Sequence, residues 1–140
     1  NKMDIDMTQY EKDLLLKDLC ARLPYKVKVQ DIYYNSLEPA PIWLIDINAQ
    51  NVRMFADEGY QSIEYIKPYL FPLSSMTEEQ KEEFNSYFAS VPYYGDNEHE
   101  HVVPYYFVEL LIEFFYKNHI DNNGLIPMGL AIDATGLNIY

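Results

Sequence analysis

The sequence predicts an α+β domain: a small antiparallel sheet of about three strands packed with three main helices, in the order α-β-β-β-α-α, followed by an apolar tail. Three observations carry this. Apolar residues recur at helical spacing behind a capping signal at residues 8–11. β-rich runs at 27–30, 42–47 and 52–56 follow, the first two separated by a loop that Pro39 and Pro41 delimit and the last two by a turn. Helical spacing then returns after a second capping signal at 77–80 and again from 104. A switch of hydrophobic period from about 3.6 to 2 and back is the pattern of segregated helices and strands.

Residues 1–7 read as a tail and 8–140 as one domain. Thr8 and Glu11 have the spacing of a capping box, in which each side chain accepts a hydrogen bond from the other residue's backbone N–H. Leu15, Leu16, Leu19, Cys20 and Leu23 form the apolar stripe, and Pro24 stops the helix near residue 23. Val27 and Val29 alternate with Lys26, Lys28 and Gln30, the pattern of a strand with one wet face. IWLIDI (42–47) is a near-continuous apolar run suited to a central strand. Asn48–Asn51 reads as a turn into VRMFA (52–56), so the second and third strands pair as a hairpin. Residues 61–67 read as a short helix ended by Pro68, with extended chain to Pro72. Thr77-Glu78-Glu79-Gln80 is the second capping box and opens a helix to about Ala89. Residues 90–102 read as an acidic loop. Pro104 suits the first turn of a third helix, to about 118, which Asp121-Asn122-Asn123-Gly124 ends. Glu109, Glu113 and Lys117 share one face, so this helix reads as the core helix with a single narrow wet stripe. The tail, LIPMGLAIDATGLNIY, is apolar enough to dock on the core, with a short strand at 130–133.

Composition excludes several classes of function. Of 140 residues, 49% are hydrophobic and 23% charged, which is globular rather than disordered composition. A net charge of −12 opposes nonspecific binding to nucleic acid or to an anionic membrane, because both require cations to displace counterions. The apolar run at 102–116 is too short to span a bilayer and carries Glu109 and Glu113. The single cysteine forms no internal disulfide, and the polar, acidic first residues lack the pattern of a signal peptide, so a cytoplasmic setting is expected. Tyrosine is in excess at 14 residues, roughly three times an ordinary share.

Three segments carry a resemblance: LLLKDLCARLPYKVKVQ, IEYIKPYLFPLSSMTEEQKEEF and NHIDNNGLIPMGLAID. They resemble a family of small uncharacterised proteins encoded in gut-bacterial genomes and their phages or mobile elements, in the same order over most of residues 8–133. This chain departs from it at Lys26, where a glycine commonly follows the tyrosine, and over the tyrosine-rich, histidine-bearing stretch 93–107. The resemblance implies a cytoplasmic accessory protein linked to phage or mobile elements. It assigns no functional residue.

The nearest approach to a chemical motif is NEHEHVV (97–103). In extended chain, His99 and His101 project to one side, roughly 6.5–7 Å apart at the backbone, and could share a metal. A zinc site needs three or four protein ligands, and the third would come from His119, Glu98, Glu100 or Asp96. Glu98 and Glu100 point the other way in a strand, and the chain contains neither HExxH nor CxxC. A solvated acidic loop is therefore expected, with no metal and no other cofactor. Cys20 lies late in its helix on the apolar stripe, where the dipole disfavours a thiolate, and reads as a core residue. Arg22 and Arg53 could hold an anion, but surface charge is the expectation for both. Asp46 is expected at a solvated strand end. Five scattered glycines make no phosphate-cradling loop, and no GxSxG occurs, so no catalytic residue is assigned.

What remains is an acidic, tyrosine-rich surface. Adjacent residues diverge in either kind of secondary structure, so the pairs Tyr33/Tyr34, Tyr93/Tyr94 and Tyr105/Tyr106 must send some rings outward. Tyrosine gives large amphipathic contact area at low entropic cost. The expectation is a non-catalytic protein that binds a protein partner through Tyr93, Tyr94, Tyr105 and Tyr106 beside Asp96, Glu98 and Glu100. The alternatives are a DNA-mimicking inhibitor of a nucleic-acid enzyme, and a ligand-binding protein or enzyme with an unfamiliar site.

Overall fold

The computed structural model describes residues 6–34, 38–54, 59–89 and 105–140. Helix α1 spans Gln9–Arg22, and its capping box forms as the spacing requires: Thr8 Oγ1 accepts from Glu11 N at 3.2 Å, and Glu11 Oε1 from Thr8 N at 3.0 Å. A single 3₁₀ turn, Leu23–Tyr25, contains Pro24 and closes on Lys26, whose left-handed backbone (φ 59°) swings the chain into the sheet. That conformation is strained for a side chain with a Cβ.

Among the described residues six strands follow: β1 Lys28–Asp31, β2 Ala40–Asp46, β3 Asn51–Met54, β4 Gln61–Ser62, β5 Ile66–Leu70 and β6 Ile132–Asp133. They form one sheet in the order β4-β3-β2-β1-β5-β6. All neighbours are antiparallel except β5 and β6. The expected hairpin is present, with Ile45 opposite Val52 and Asp46 opposite Asn51. Asp46 is exposed at the strand end, where its Oδ1 caps Ala49 N at 3.0 Å.

The sheet therefore has twice the expected number of strands. Residues 61–67 supply β4, one 3₁₀ turn (Ile63–Tyr65) and the start of β5 in place of a short helix. Ile63, Ile66 and Leu70 are all buried at helical spacing, but Ile66, Pro68 and Leu70 are also buried at a spacing of two. A run this short fits either period, and the open edge of β1 decides for the strand, placing Pro68 opposite Val29 and Ile66 opposite Asp31. The tail adds the sixth strand, with Tyr69 opposite Ile132 and Leu70 opposite Asp133.

α1 covers one face of the sheet. Leu15 and Leu19 meet Val27, Val29, Ile42, Val52, Ile66 and Leu70, and the tail closes the core with Leu125, Leu130 and Ala131. The sheet's other face carries Lys28, Gln30, Trp43, Arg53 and Tyr69. IWLIDI is accordingly not buried on both sides: a bulge between Ile42 and Leu44 leaves Trp43 50% exposed, and Ile47 lies beyond the strand in solvent.

Helices α2 (Glu78–Ala89) and α3 (Tyr105–Lys117) pack on each other through aromatic rings. Phe84 meets Phe88 and Phe114 at 5.2 and 5.7 Å between centroids, and Phe88 meets Phe107 at 5.0 Å. Thr77 and Gln80 form the second capping box, at 2.9 and 3.1 Å. α3 is not the core helix. Phe107 and Phe114 are buried with Leu111 half-buried between them, whereas Val108, Leu110 and Ile112 are exposed together with Glu109 and Glu113. The sheet and α1 already enclose the main core, so α3 needs only one stripe to pair with α2.

Candidate functional site

Among the residues expected to bind a partner, Tyr105 and Tyr106 head α3 with their rings edge to face at 6.2 Å. Tyr105 is 77% exposed, and the same helix presents Val108 at 44% and Ile112 at 42%. Residues 105, 108 and 112 fall on one helical stripe. Beside it stand the exposed carboxylates of Glu109 and Glu113. Lys117 at the helix end is tied across to α2 by an ion pair with Glu83 at 2.6 Å, and Tyr87 also hydrogen-bonds to Glu83. Tyr93, Tyr94, Asp96, Glu98, Glu100, His99 and His101 lie outside the described residues. Of the other outward pair, Tyr33 and Tyr34 are both exposed and meet edge to face at 4.9 Å.

A second constellation joins α1 to the chain after α3. Arg22 is fully buried, contrary to the expected surface charge. Its Nε donates to Asp18 Oδ1 at 2.6 Å, and its Nη2 to the Ile120 carbonyl at 2.8 Å and Asn122 Oδ1 at 2.9 Å. The guanidinium lies over the Tyr116 ring, 4.9 Å from its centroid, and Asn123 donates to Asp18 at 2.8 Å. Nη1 is buried with no hydrogen-bond partner among the described residues. One signal for this pair was available in sequence: Asp18 and Arg22 stand four apart within the stripe of Leu15 and Leu19, on the inward side.

α3 ends in a Schellman motif, earlier than the expected Asp121–Gly124. Ile120 N donates to the Phe115 carbonyl and His119 N to that of Tyr116, with His119 in the left-handed position (φ 57°) that glycine usually fills. The turn sets the His119 ring on Tyr140, 3.6 Å between centroids and 12° from parallel. Tyr140 Oη in turn accepts from Lys28 N and donates to the Tyr69 carbonyl, both at 2.8 Å. Sequence reasoning weighed His119 only as a metal ligand. Burial, with Arg22 and Lys28 adding to it, lowers its pKa to about 4 from an ordinary 6.5.

Because the unfolded chain takes up this proton first, His119 withdraws stability as pH falls from about 6.5 to about 4, and adds no further loss below that. The pKa gap corresponds to at most about 3 kcal/mol, or about 2 after allowing for partial exposure of the ring. His119→Asn, which tolerates the left-handed turn, should flatten the difference between urea-unfolding stabilities at pH 7 and pH 4 by that amount. Parallel pH profiles for the two proteins would show that His119 titrates alike in the folded and unfolded chains, so that it contributes nothing to the pH dependence.

The remaining candidates fall as follows. Cys20 is half-buried against the core, and burial raises its thiol pKa, so it behaves as the expected core residue. Arg53 is not plain surface charge. Its guanidinium stacks on Trp43 and Tyr60, 4.9 and 5.7 Å from their centroids, and its Nε is buried without a partner among the described residues. Among the described residues no three His, Cys, Asp or Glu side chains converge, and no helix is long and apolar enough to cross a membrane. No family model, curated protein or solved structure matches the chain.

Proposed function

We propose that this is a non-catalytic accessory protein, linked to phage or mobile elements, that binds another protein through the outer face of α3. The observation that carries the reading is the row Tyr105, Val108 and Ile112, apolar and solvent-exposed on a helix whose opposite stripe already satisfies its packing. Isolated exposed apolar residues are ordinary, but an aligned row headed by a tyrosine, with a second tyrosine beside it, is the composition of an interface. Glu109 and Glu113 would form its rim, and they act chiefly on the rate of association. The phage or mobile-element setting rests on the resemblance of the three segments quoted above.

The test is affinity capture from host cells on immobilised protein. Wild type is compared with Tyr105→Ser/Val108→Ser/Ile112→Ser and with Tyr93→Ala/Tyr94→Ala, each verified as folded by circular dichroism. A few anchors dominate most interfaces, each costing more than about 1–2 kcal/mol, so the triple variant should lose its partner at least about tenfold. Capture by wild type should also slow as salt rises. Undiminished capture by both variants would remove α3 from the interface.

A further inference from the structure

Asn123-Gly124 is the single Asn-Gly step in the sequence, and the fold sets it at the surface between two pinned flanks. On one side Asn122 Oδ1 accepts from the buried Arg22 at 2.9 Å. On the other, Asp121 Oδ1 and Oδ2 accept from Leu125 N and Ile126 N at 2.8 and 2.9 Å, and Leu125 is fully buried. Between them the exposed Gly124 turns the chain in the left-handed region (φ 73°), and Asn123 Nδ2 donates to Asp18 Oδ2 at 2.8 Å. From this we infer that Asn123 is a site of self-modification, converted by the neighbouring backbone to aspartate or isoaspartate, and that conversion loosens the joint between α1 and the chain after α3.

Glycine at 124 has no side chain to obstruct the approach of its nitrogen to the Asn123 amide. That nitrogen, its proton lost to hydroxide, bonds to Asn123 Cγ. The Cγ–Nδ2 bond breaks, and ammonia leaves with a proton taken from water. Water then opens the resulting five-membered succinimide at either carbonyl. One opening leaves aspartate, and the other leaves isoaspartate, whose main chain runs through Cβ and Cγ. Overall one water is consumed and one ammonia released, with no change of oxidation state. Either product sets a carboxylate where the amide donated, against an Asp18 that is 1% exposed, so a donor is lost and two like charges meet. Isoaspartate also lengthens the chain between Asn122 and Leu125, whose anchors leave no slack, and so pulls on the Arg22–Asn122 bond.

The test is peptide mass spectrometry on protein held folded at pH 8 and, in parallel, unfolded in guanidinium chloride. Asn123 should lead the other asparagines of the folded chain in gaining about one dalton, and should convert more slowly at pH 6. The hydrogen bond to Asp18 should hold the folded rate about ten- to hundredfold below the unfolded one, as a bond to a charged acceptor does. The converted fraction, separated by ion exchange, should unfold at lower urea and exchange amide hydrogens faster around 118–123. Asn123→Gln, which would have to close a six-membered ring, should stay unconverted and keep its midpoint throughout. Asn123→Asp, made directly, carries the charge without the longer chain and should lose less than the isoaspartyl fraction. A folded rate more than about a thousandfold below the unfolded one would overturn the inference, since the fold would then shield the step. So would conversion led by another asparagine, or a converted fraction with the midpoint of fresh protein.

Discussion

Replacing Arg22 by alanine is expected to cost about 3–5 kcal/mol of unfolding free energy in urea, the loss typical of removing one member of a buried ion pair. Asp18 would be left fully buried and charged, with Asn123 as its remaining side-chain donor among the described residues. The Ile120 carbonyl and Asn122 would lose their donor as well. Asp18→Ala should be comparably severe, because it strands the guanidinium. Removing both charges with apolar residues, Asp18→Leu/Arg22→Met, should cost clearly less than the sum of the single losses, since no buried charge is left unpaired. Arg22 also reaches across 98 residues to the Ile120 carbonyl, so hydrogen exchange in Arg22→Ala should quicken first around 118–123. A loss below about 1 kcal/mol in Arg22→Ala would mean that the pair is solvated in solution.

Leu19→Ala is expected to cost about 2–5 kcal/mol, and Leu111→Ala only about 1. Leu19 is fully buried between α1 and the sheet, in contact with residues from both ends of the chain, so neighbours cannot collapse into the space it leaves. Leu111 sits half-buried on α3, between Phe107 and Phe114 but outside the main core. From sequence alone the two leucines are equivalent, each central in an apolar helical run. Equal losses at the two sites would restore α3 to the role of core helix and remove the exposed row on which partner binding rests.

Helix boundaries were legible because their signals are local. Thr8/Glu11 and Thr77/Gln80 each satisfy backbone groups within three residues, and Pro24 ends α1 through its own ring. The β2–β3 hairpin was legible for the same reason, its turn being contained in Asn48–Asn51. Less local features were misread. Ile63, Ile66 and Leu70 satisfy a helical period until the free edge of β1 recruits them as a strand. Val108, Leu110 and Ile112 read as core because apolar residues on a helix normally are, and nothing in their own segment shows that α1 has already taken the sheet. The candidate site follows this division. Tyr105 and Tyr106 were identifiable as outward-facing from their adjacency, whereas the exposure of Val108 and Ile112 depends on α1 and the sheet having closed the core without α3.

By itself, then, the sequence determined the α+β class, the three helices, the central hairpin and the acidic character, since each follows from contacts within a few residues or from composition. Only the tertiary structure decided the six-strand order, the parallel docking of the tail on β5, the burial of Arg22 against Ile120 and the exposed outer face of α3. Those depend on which surfaces meet across tens of residues, where the free energy of pairing and burial outweighs local preference and leaves no mark in any one segment.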